Sequence, residues 1–285
     1  MVYVIIAVIV LLFIIYVIVE SSGFRCVYYN LQTDRINRES LKIVMLSDLH
    51  NKDYGDENEP LVQAIDSFSP DLVCMSGDMI TSGYDFHMDY GKTLRFIEKL
   101  AKKYPVFYGF GNHERYYRDH EENYARSFGE LQSALNAMGV KLLDNAHTVM
   151  DDLGITVYGL NLEMPYYRRF KLRPMAEGQM EEDLGAVDKE HYSILLAHNP
   201  EYFPEYAVWG ADLVLAGHHH GGIVNLPLIG GVISPGFKLF PKYDAGLFHE
   251  GSSTMLLSRG IGSHTIPIRI NNKAEIVCIT IDKKG

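Results

Sequence analysis

Short apolar runs, each halted by a glycine or a polar cluster, recur through most of this chain. Leu41–Ser47, Asp71–Ser76 and Pro105–Phe110 are of this kind, and unbroken apolarity over so few residues predicts strands buried on both faces. Between them, Pro60–Phe68 and Leu94–Lys103 carry apolar residues at helical spacing. Strand, helix, strand, helix, strand at this rhythm predicts βαβ units and an α/β fold with a parallel sheet. Further strand candidates follow at Ile155–Gly159, Tyr192–Ala197, Ala211–Ala216, Thr254–Ser258 and Ala274–Ile281. Residues 20–40 interleave Asn, Gln, Asp and Arg without a sustained period and read as a polar connector.

One apolar run differs from the rest. Val2–Val19 is 18 residues without a charge, and as a helix it would measure about 27 Å, close to the hydrocarbon thickness of a bilayer. No Lys or Arg precedes it, and Glu20-Ser21-Ser22-Gly23 matches a signal-peptidase site poorly. The expectation is an uncleaved, single-pass transmembrane anchor over residues 1–22, a connector over 23–40 and one large domain over 41–285. A cleaved signal and a buried core helix are the alternatives. Arg25, Arg35, Arg38 and Lys42 all follow the span, so the positive-inside rule places the domain in the cytoplasm.

Composition narrows the partners. A formal charge of −10 with no Lys/Arg block argues against nucleic acid. Cys26, Cys74 and Cys278 are odd in number and widely spaced, which gives no disulfide framework and leaves the redox compartment open. Cys74 sits inside an apolar strand, where an inert buried thiol is expected.

The candidate chemistry lies where strands end. Asp48-Leu49-His50, Gly77-Asp78, Gly111-Asn112-His113-Glu114, His198 and Gly217-His218-His219-His220 each follow an apolar run. In α/β sheets such ends converge on one edge, where ligand sites form. Imidazole, carboxylate and amide donors without a thiolate suit divalent cations.

In order and content these blocks resemble the calcineurin-like metallophosphoesterase superfamily, whose pattern is D-x-H, G-D, G-N-H-[DE], a lone His and G-H-x-H. The likeness runs from Leu41 to about Ile281. It implies two mixed β-sheets packed as a sandwich flanked by helices, and two divalent metal ions, with Mn, Fe and Zn all suited to the donors. Carried over position by position, Asp48, His50 and His220 would bind one ion and Asn112, His198 and His218 the other, with Asp78 bridging. The resemblance implies a phosphohydrolase in which a hydroxide shared by the metals attacks phosphorus in line, while His113 faces the substrate and either protonates the leaving oxygen or steadies its charge; a capping or packing role for His113 is the alternative. Bound metals would supply the positive charge that an acidic chain lacks.

Some residues depart from that pattern or lie outside it. His219 stands where a smaller residue is usual, and backbone alternation turns it away from the metals, behind the ligands or toward solvent. Glu114 either orients His113 or a ligand, or is a surface carboxylate. Gly217, Gly221 and Gly222 are expected to shape the histidine loop. Residues 162–190 read as a cap insertion, in which Arg168, Arg169, Lys171 and Arg173, set among aromatic residues, would meet a phosphate or an anionic membrane surface; a solvated basic helix end is the alternative. Asn225–Phe248, rich in Gly, Pro and aromatics, reads as a long loop near the same mouth.

The anchor and basic insertion resemble a membrane-associated branch of the superfamily that includes lipid-linked nucleotide pyrophosphatases of the UDP-diacylglucosamine type. The expected substrate is therefore a phosphoester or pyrophosphate, lipid-linked or soluble. Superfamily members with a leading anchor are often found outside the cytoplasmic membrane, which opposes the positive-inside argument and leaves the side open. The competing functions are a noncatalytic metal-binding scaffold and a phosphomonoesterase acting on a soluble substrate. A scaffold would be expected to have lost ligands, and all seven stand here.

Overall fold

The computed structural model describes residues 1–83, 89–168, 172–222, 224–226, 230–233, 239–263 and 268–285. Fourteen strands are defined among them: β1 (Phe24–Thr33), β2 (Ser40–Leu46), β3 (Leu72–Ser76), β4 (Val106–Gly109), β5 (Lys141–Leu143), β6 (Ala146–Met150), β7 (Ile155–Leu160), β8 (Tyr192–Ala197), β9 (Leu213–Ala216), β10 (Val224–Leu226), β11 (Gly230–Ile233), β12 (Gly246–Glu250), β13 (Ser253–Leu257) and β14 (Ala274–Lys283). The helices are α1 (Val2–Ser22), α2 (Glu59–Phe68), α3 (Gly91–Ala101), α4 (Asn112–Asp119), α5 (Phe128–Ala137), α6 (Gln179–Leu184) and α7 (Phe203–Trp209). One sheet has the order β1-β14-β2-β3-β4-β5 and the other β12-β13-β9-β8-β7-β6. Both are mixed, because β14 runs antiparallel to β2, and β6 and β12 run antiparallel to their neighbours.

Alternation along each strand assigns its side chains to layers. Ile43 and Met45 of β2, and Leu72 and Cys74 of β3, join Ile155, Val157, Ile194, Leu196, Leu213 and Leu215 of the opposing sheet in a core between the sheets. Their sequence neighbours Val44, Leu46, Val73 and Met75 face the other way, onto Leu61, Ile65, Phe96, Ile97 and Leu100 of α2 and α3. Tyr158, Leu195 and Val214 face Tyr206 and Trp209 of α7. The expected sandwich with helices outside is present. Its strands read as continuous apolar runs because both faces are covered.

Residues 23–40 are not a connector. Phe24–Thr33 forms β1, paired in parallel with β14 from Phe24–Ala274 to Thr33–Lys283. As an edge strand it buries only part of its surface: Phe24 and Cys26 pack toward the helices, and Tyr29 and Leu31 toward the other sheet. The intervening polar residues made it look unstructured. The arginines counted for membrane orientation have partners in the domain, Arg25 with Glu275, Arg35 with Asp212 and Arg38 with Asp71. The stretch 225–248 is likewise not one loop, since β10 and β11 form an antiparallel hairpin within it.

Helix α1 is long and apolar enough to cross a membrane, and none of it is buried in the domain. That removes the buried-core-helix alternative.

Candidate metal centre

Strands β2, β3 and β4 are parallel, as are β8 and β9, so their C-terminal ends share one edge. Asp48 and His50 follow β2, Asp78 follows β3, Asn112 and His113 follow β4 at the start of α4, His198 follows β8 and His218 and His220 follow β9. Six of the seven candidate ligands meet there in overlapping groups, and Asn112 stands beside His113 at the start of α4. Asp48, His50 and His220 present donor atoms within 4.8 Å of one another, and so do His50, Asp78 and His113, and Asp78, His198 and His218. Asp78 Oδ2 lies 3.0 Å from His198 Nε2 and 3.9 Å from His50 Nε2. His220 Nε2 lies 3.2 Å from Asp48 Oδ1 and 3.2 Å from His50 Nε2.

The backbone under this cluster is bent out of the ordinary regions. Asp48 (φ 53°), His50 (51°), Asp78 (53°), His218 (74°) and His220 (52°) are all left-handed, a conformation costing about 1–3 kcal/mol for a non-glycine residue. It persists because neighbouring loops lock each turn. Asp48 and His50 N–H donate to the carbonyls of Gly77 and Asp78 at 3.0 and 3.1 Å. His218 N–H donates to the Asp48 carboxylate at 3.0 Å. A Cβ at Gly111 would collide with the Asp78 carboxylate, and one at Gly217 with that of Asp48, so glycine lets the loops approach this closely.

The donor set fits divalent cations. Asn112 Oδ1 is buried without a hydrogen-bond partner among the described residues, as expected of an oxygen reserved for a ligand. His198 Nδ1 donates to the Ser76 carbonyl at 2.7 Å, which leaves Nε2 as the coordinating atom.

Electrostatics agree. Burial opposes a charge on Asp78, but the imidazoles of His198, His113 and His50 outweigh it and hold the carboxyl well below the usual range. Burial likewise opposes a proton on His198, yet Asp78 and Asp48 raise its pKa to about 10. Burial and the nearby His198 charge push His218 well below the usual imidazole value, and burial pushes His220 down despite Asp48. Two neutral imidazoles with available lone pairs thus stand beside carboxylates that attract a cation.

Glu114 is fully buried and not a surface carboxylate. It accepts from the backbone N–H of Asp78 (2.8 Å), Met79 (2.9 Å) and Gly111 (2.9 Å), and from the Tyr108 hydroxyl (2.6 Å). One carboxylate at the first turn of α4 therefore ties the Asp78 loop to the Asn112 loop. Burial and Asp78 raise its pKa, while the donated hydrogen bonds lower it. Glu114→Gln would turn an amide donor toward N–H groups and leave a buried donor unpaired, at about 1–3 kcal/mol. Thermal denaturation should show a lower Tm, and metal titration an affinity about 10–100-fold weaker; unchanged metal affinity would reduce Glu114 to packing.

His113 donates its backbone N–H to Asp78 Oδ1 at 2.8 Å, and its Nδ1 lies 2.8 Å from the Ser82 carbonyl oxygen. Ser82 Oγ donates to the His113 carbonyl at 2.7 Å. Ser82 N–H also lies 2.9 Å from Nδ1, so the Ser82 backbone fixes the orientation of the ring. His219 turns away from the cluster, as alternation required, but it is buried rather than solvent-facing, 2.7 Å from the Tyr243 carbonyl and 3.3 Å from Glu201.

In the insertion, Arg168 is exposed. Arg173 pairs with Glu163 at 3.4 Å and lies over the Tyr166 ring. Arg169 and Lys171 lie outside the described residues. The insertion reaches the cluster through Tyr167, whose ring centroid is 5.3 Å from that of His218. Sequence reasoning missed Tyr167 and Ser82. Two adjacent tyrosines in a polar insertion were the only signal for the former, and nothing local marked the latter.

Comparison with known proteins gives the family of the chain. The calcineurin-like phosphoesterase family profile matches residues 41–222. The chain is 27% identical to the uncharacterized metallophosphoesterase YkuE of Bacillus subtilis over 85% of this chain and 79% of that one. It is 26% identical to the phosphodiesterase YaeI of Escherichia coli, over 92% and 90%. Among solved structures, Haemophilus influenzae NAD nucleotidase aligns with a TM-score of 0.44 and 15% identity, covering 78% of this chain and 45% of that one. This chain belongs to the calcineurin-like phosphoesterase family and is a metal-dependent hydrolase of phosphoric esters.

Proposed function

We propose that this chain hydrolyses phosphodiester or pyrophosphate bonds at a dinuclear metal centre, on a lipid-linked substrate, while α1 anchors it in the membrane. The position of Asp78 carries the dinuclear reading: a single carboxylate lies within reach of His198 on one side and His50 on the other. Asp48, His50 and His220 would hold one ion, and Asn112, His198 and His218 the other, with Asp78 between them. Mn, Fe and Zn all suit these donors. Bound there, the ions would neutralise charge on the phosphate oxygens and lower the pKa of a water molecule. His113 gives a proton to the departing oxygen from Nε2, and Glu114 keeps the Asp78 and Asn112 loops in register. The Escherichia coli relative is a phosphodiesterase by name, which supports diester cleavage here. The length and apolarity of α1 support the anchor, and the basic insertion supports an anionic, lipid-linked substrate.

The test is elemental analysis of active full-length protein, with rates on phosphomonoesters, phosphodiesters and pyrophosphates presented in solution and in vesicles. At most one metal in active protein rejects the dinuclear centre. Equal rates on soluble and embedded substrates reject the lipid reading.

Metal binding should be coupled to protons. His198 holds a proton up to about pH 10 in the apo-protein, and a cation requires it to leave. His218 and His220 are already neutral near pH 7. Apparent affinity should therefore rise with pH below 10, with about one proton released for the ion bound at His198. Calorimetric titration in buffers of different ionisation enthalpy measures that proton; none released would remove His198 from the ligand set.

A further inference from the structure

The exit of α1 lies against the loops that carry the candidate metal site. The Tyr16 hydroxyl accepts from Asn271 N–H at 2.8 Å, and Ser21 Oγ accepts from Arg269 N–H at 2.9 Å. The Ser21 carbonyl accepts from Lys52 Nζ at 3.0 Å, two residues past His50. Arg269 is buried and donates to the carbonyls of Gly260 and Gly262, and Gly262 N–H in turn bonds Asp48 O. Asn272 donates to the His220 carbonyl at 2.7 Å. The helix end and the site thus share one layer of loops.

Tyr16 lies within the apolar run, six residues before Ser22, and so about 9 Å below the helix end. A tyrosine at that level of a spanning helix sits at the boundary between acyl chains and headgroups. The segment Arg269–Asn271, bonded to Tyr16 and Ser21, is held at the same level.

Four large apolar side chains are exposed on segments tied to that loop: Leu226 (41%), Leu239 (62%), Phe240 (61%) and Ile268 (42%). Val224 of β10 bridges Ile270, and Asn225 N–H donates to the Ile270 carbonyl. Asn271 Nδ2 donates to the Asn225 carbonyl. Phe240 N–H donates to Val232 of β11. Water is a poor neighbour for such a patch, and an adjoining bilayer a good one.

We propose that this apolar face, continuous with α1, enters the boundary region of the bilayer as a second membrane contact and seats the mouth of the metal site on the lipid surface. The proposal rests on α1 being an anchor, and it deepens the lipid-substrate reading by giving a way for a headgroup phosphate to reach the site without leaving the membrane.

The test uses full-length protein in phosphatidylcholine/phosphatidylglycerol vesicles whose acyl chains are brominated near the headgroup. The chain has one tryptophan, Trp209, buried on α7 behind the other sheet, which serves as the internal reference. Emission gained on Phe240→Trp or Ile268→Trp should fall about twofold in brominated vesicles, as for a ring buried ~5–10 Å into the interface, while wild-type Trp209 emission stays unchanged. Quenching needs no turnover, so it stands apart from the hydrolase reading. Protein that withstands alkaline wash but is quenched at neither position overturns this contact and leaves the anchor intact. Protein washed off the vesicles overturns the anchor and this contact together.

Discussion

Asp78→Asn should strip metal from both halves of the candidate site and lower kcat/KM by about 10³-fold or more, since losing about 4 kcal/mol of metal-supplied stabilisation is a thousandfold in rate. Asp78 Oδ2 faces His198 and His50, and its Oδ1 accepts from His113 N–H. An asparagine keeps the volume but removes the charge, and its amide nitrogen would face one of these groups as a donor. Asn112→Ala makes the contrast. Its buried Oδ1 has no hydrogen-bond partner among the described residues, and on the proposed assignment of Asn112 to the ion at His198 and His218, metal should be lost chiefly from that half. In the apo-protein, Asp78→Asn also removes the larger of the two carboxylate influences that hold His198 near pH 10, and imidazole NMR titration should show a lower pKa. Full metal content in the Asp78→Asn protein would refute the shared carboxylate.

What the sequence revealed, and what it hid, follows from the range of the interactions. Strands such as β2, β3 and β8 are legible because both faces are buried and the composition of each run is locally decisive. The candidate ligand blocks are legible because each directly follows such a strand, and at Asp48, His50, Asp78, His218 and His220 the turn is left-handed, a backbone that Asp, Asn and His tolerate better than most residues. Strand β1 was illegible because it is half-buried, and its single pairing partner lies 250 residues away. Glu114 could not be told from a surface carboxylate, because most of its donors come from a loop about 35 residues upstream. Ser82, Tyr167 and Arg269 carry no local pattern, since each is defined by the carbonyls and rings that folding brings to it. The contacts of α1 with Lys52, Arg269 and Asn271 were hidden for the same reason: an apolar run shows that a helix can span a membrane, not what its last turns touch.

His113→Ala should lower kcat by about 10²-fold, the lower end of the usual loss of a general acid, with metal content unchanged. The structure separates the two roles of this residue. Its backbone N–H, which holds Asp78 Oδ1 at 2.8 Å, survives the substitution, and Glu114 still gathers the Asp78 loop through three consecutive amides. Only the imidazole is lost. The deficit should be largest for alkyl esters, whose leaving oxygen needs a proton, and small for nitrophenyl esters, whose leaving group departs as a stable anion. Ser82→Ala should reproduce part of the effect, because it keeps the ring but removes the hydroxyl that bonds the His113 carbonyl at 2.7 Å. Its deficit should likewise be larger for alkyl than for nitrophenyl esters, which a merely structural loss would not produce. A His113→Ala protein that loses metal would make the imidazole a ligand, in keeping with its place near His50 and Asp78; equal losses on alkyl and nitrophenyl esters would make it a charge stabiliser rather than a proton donor.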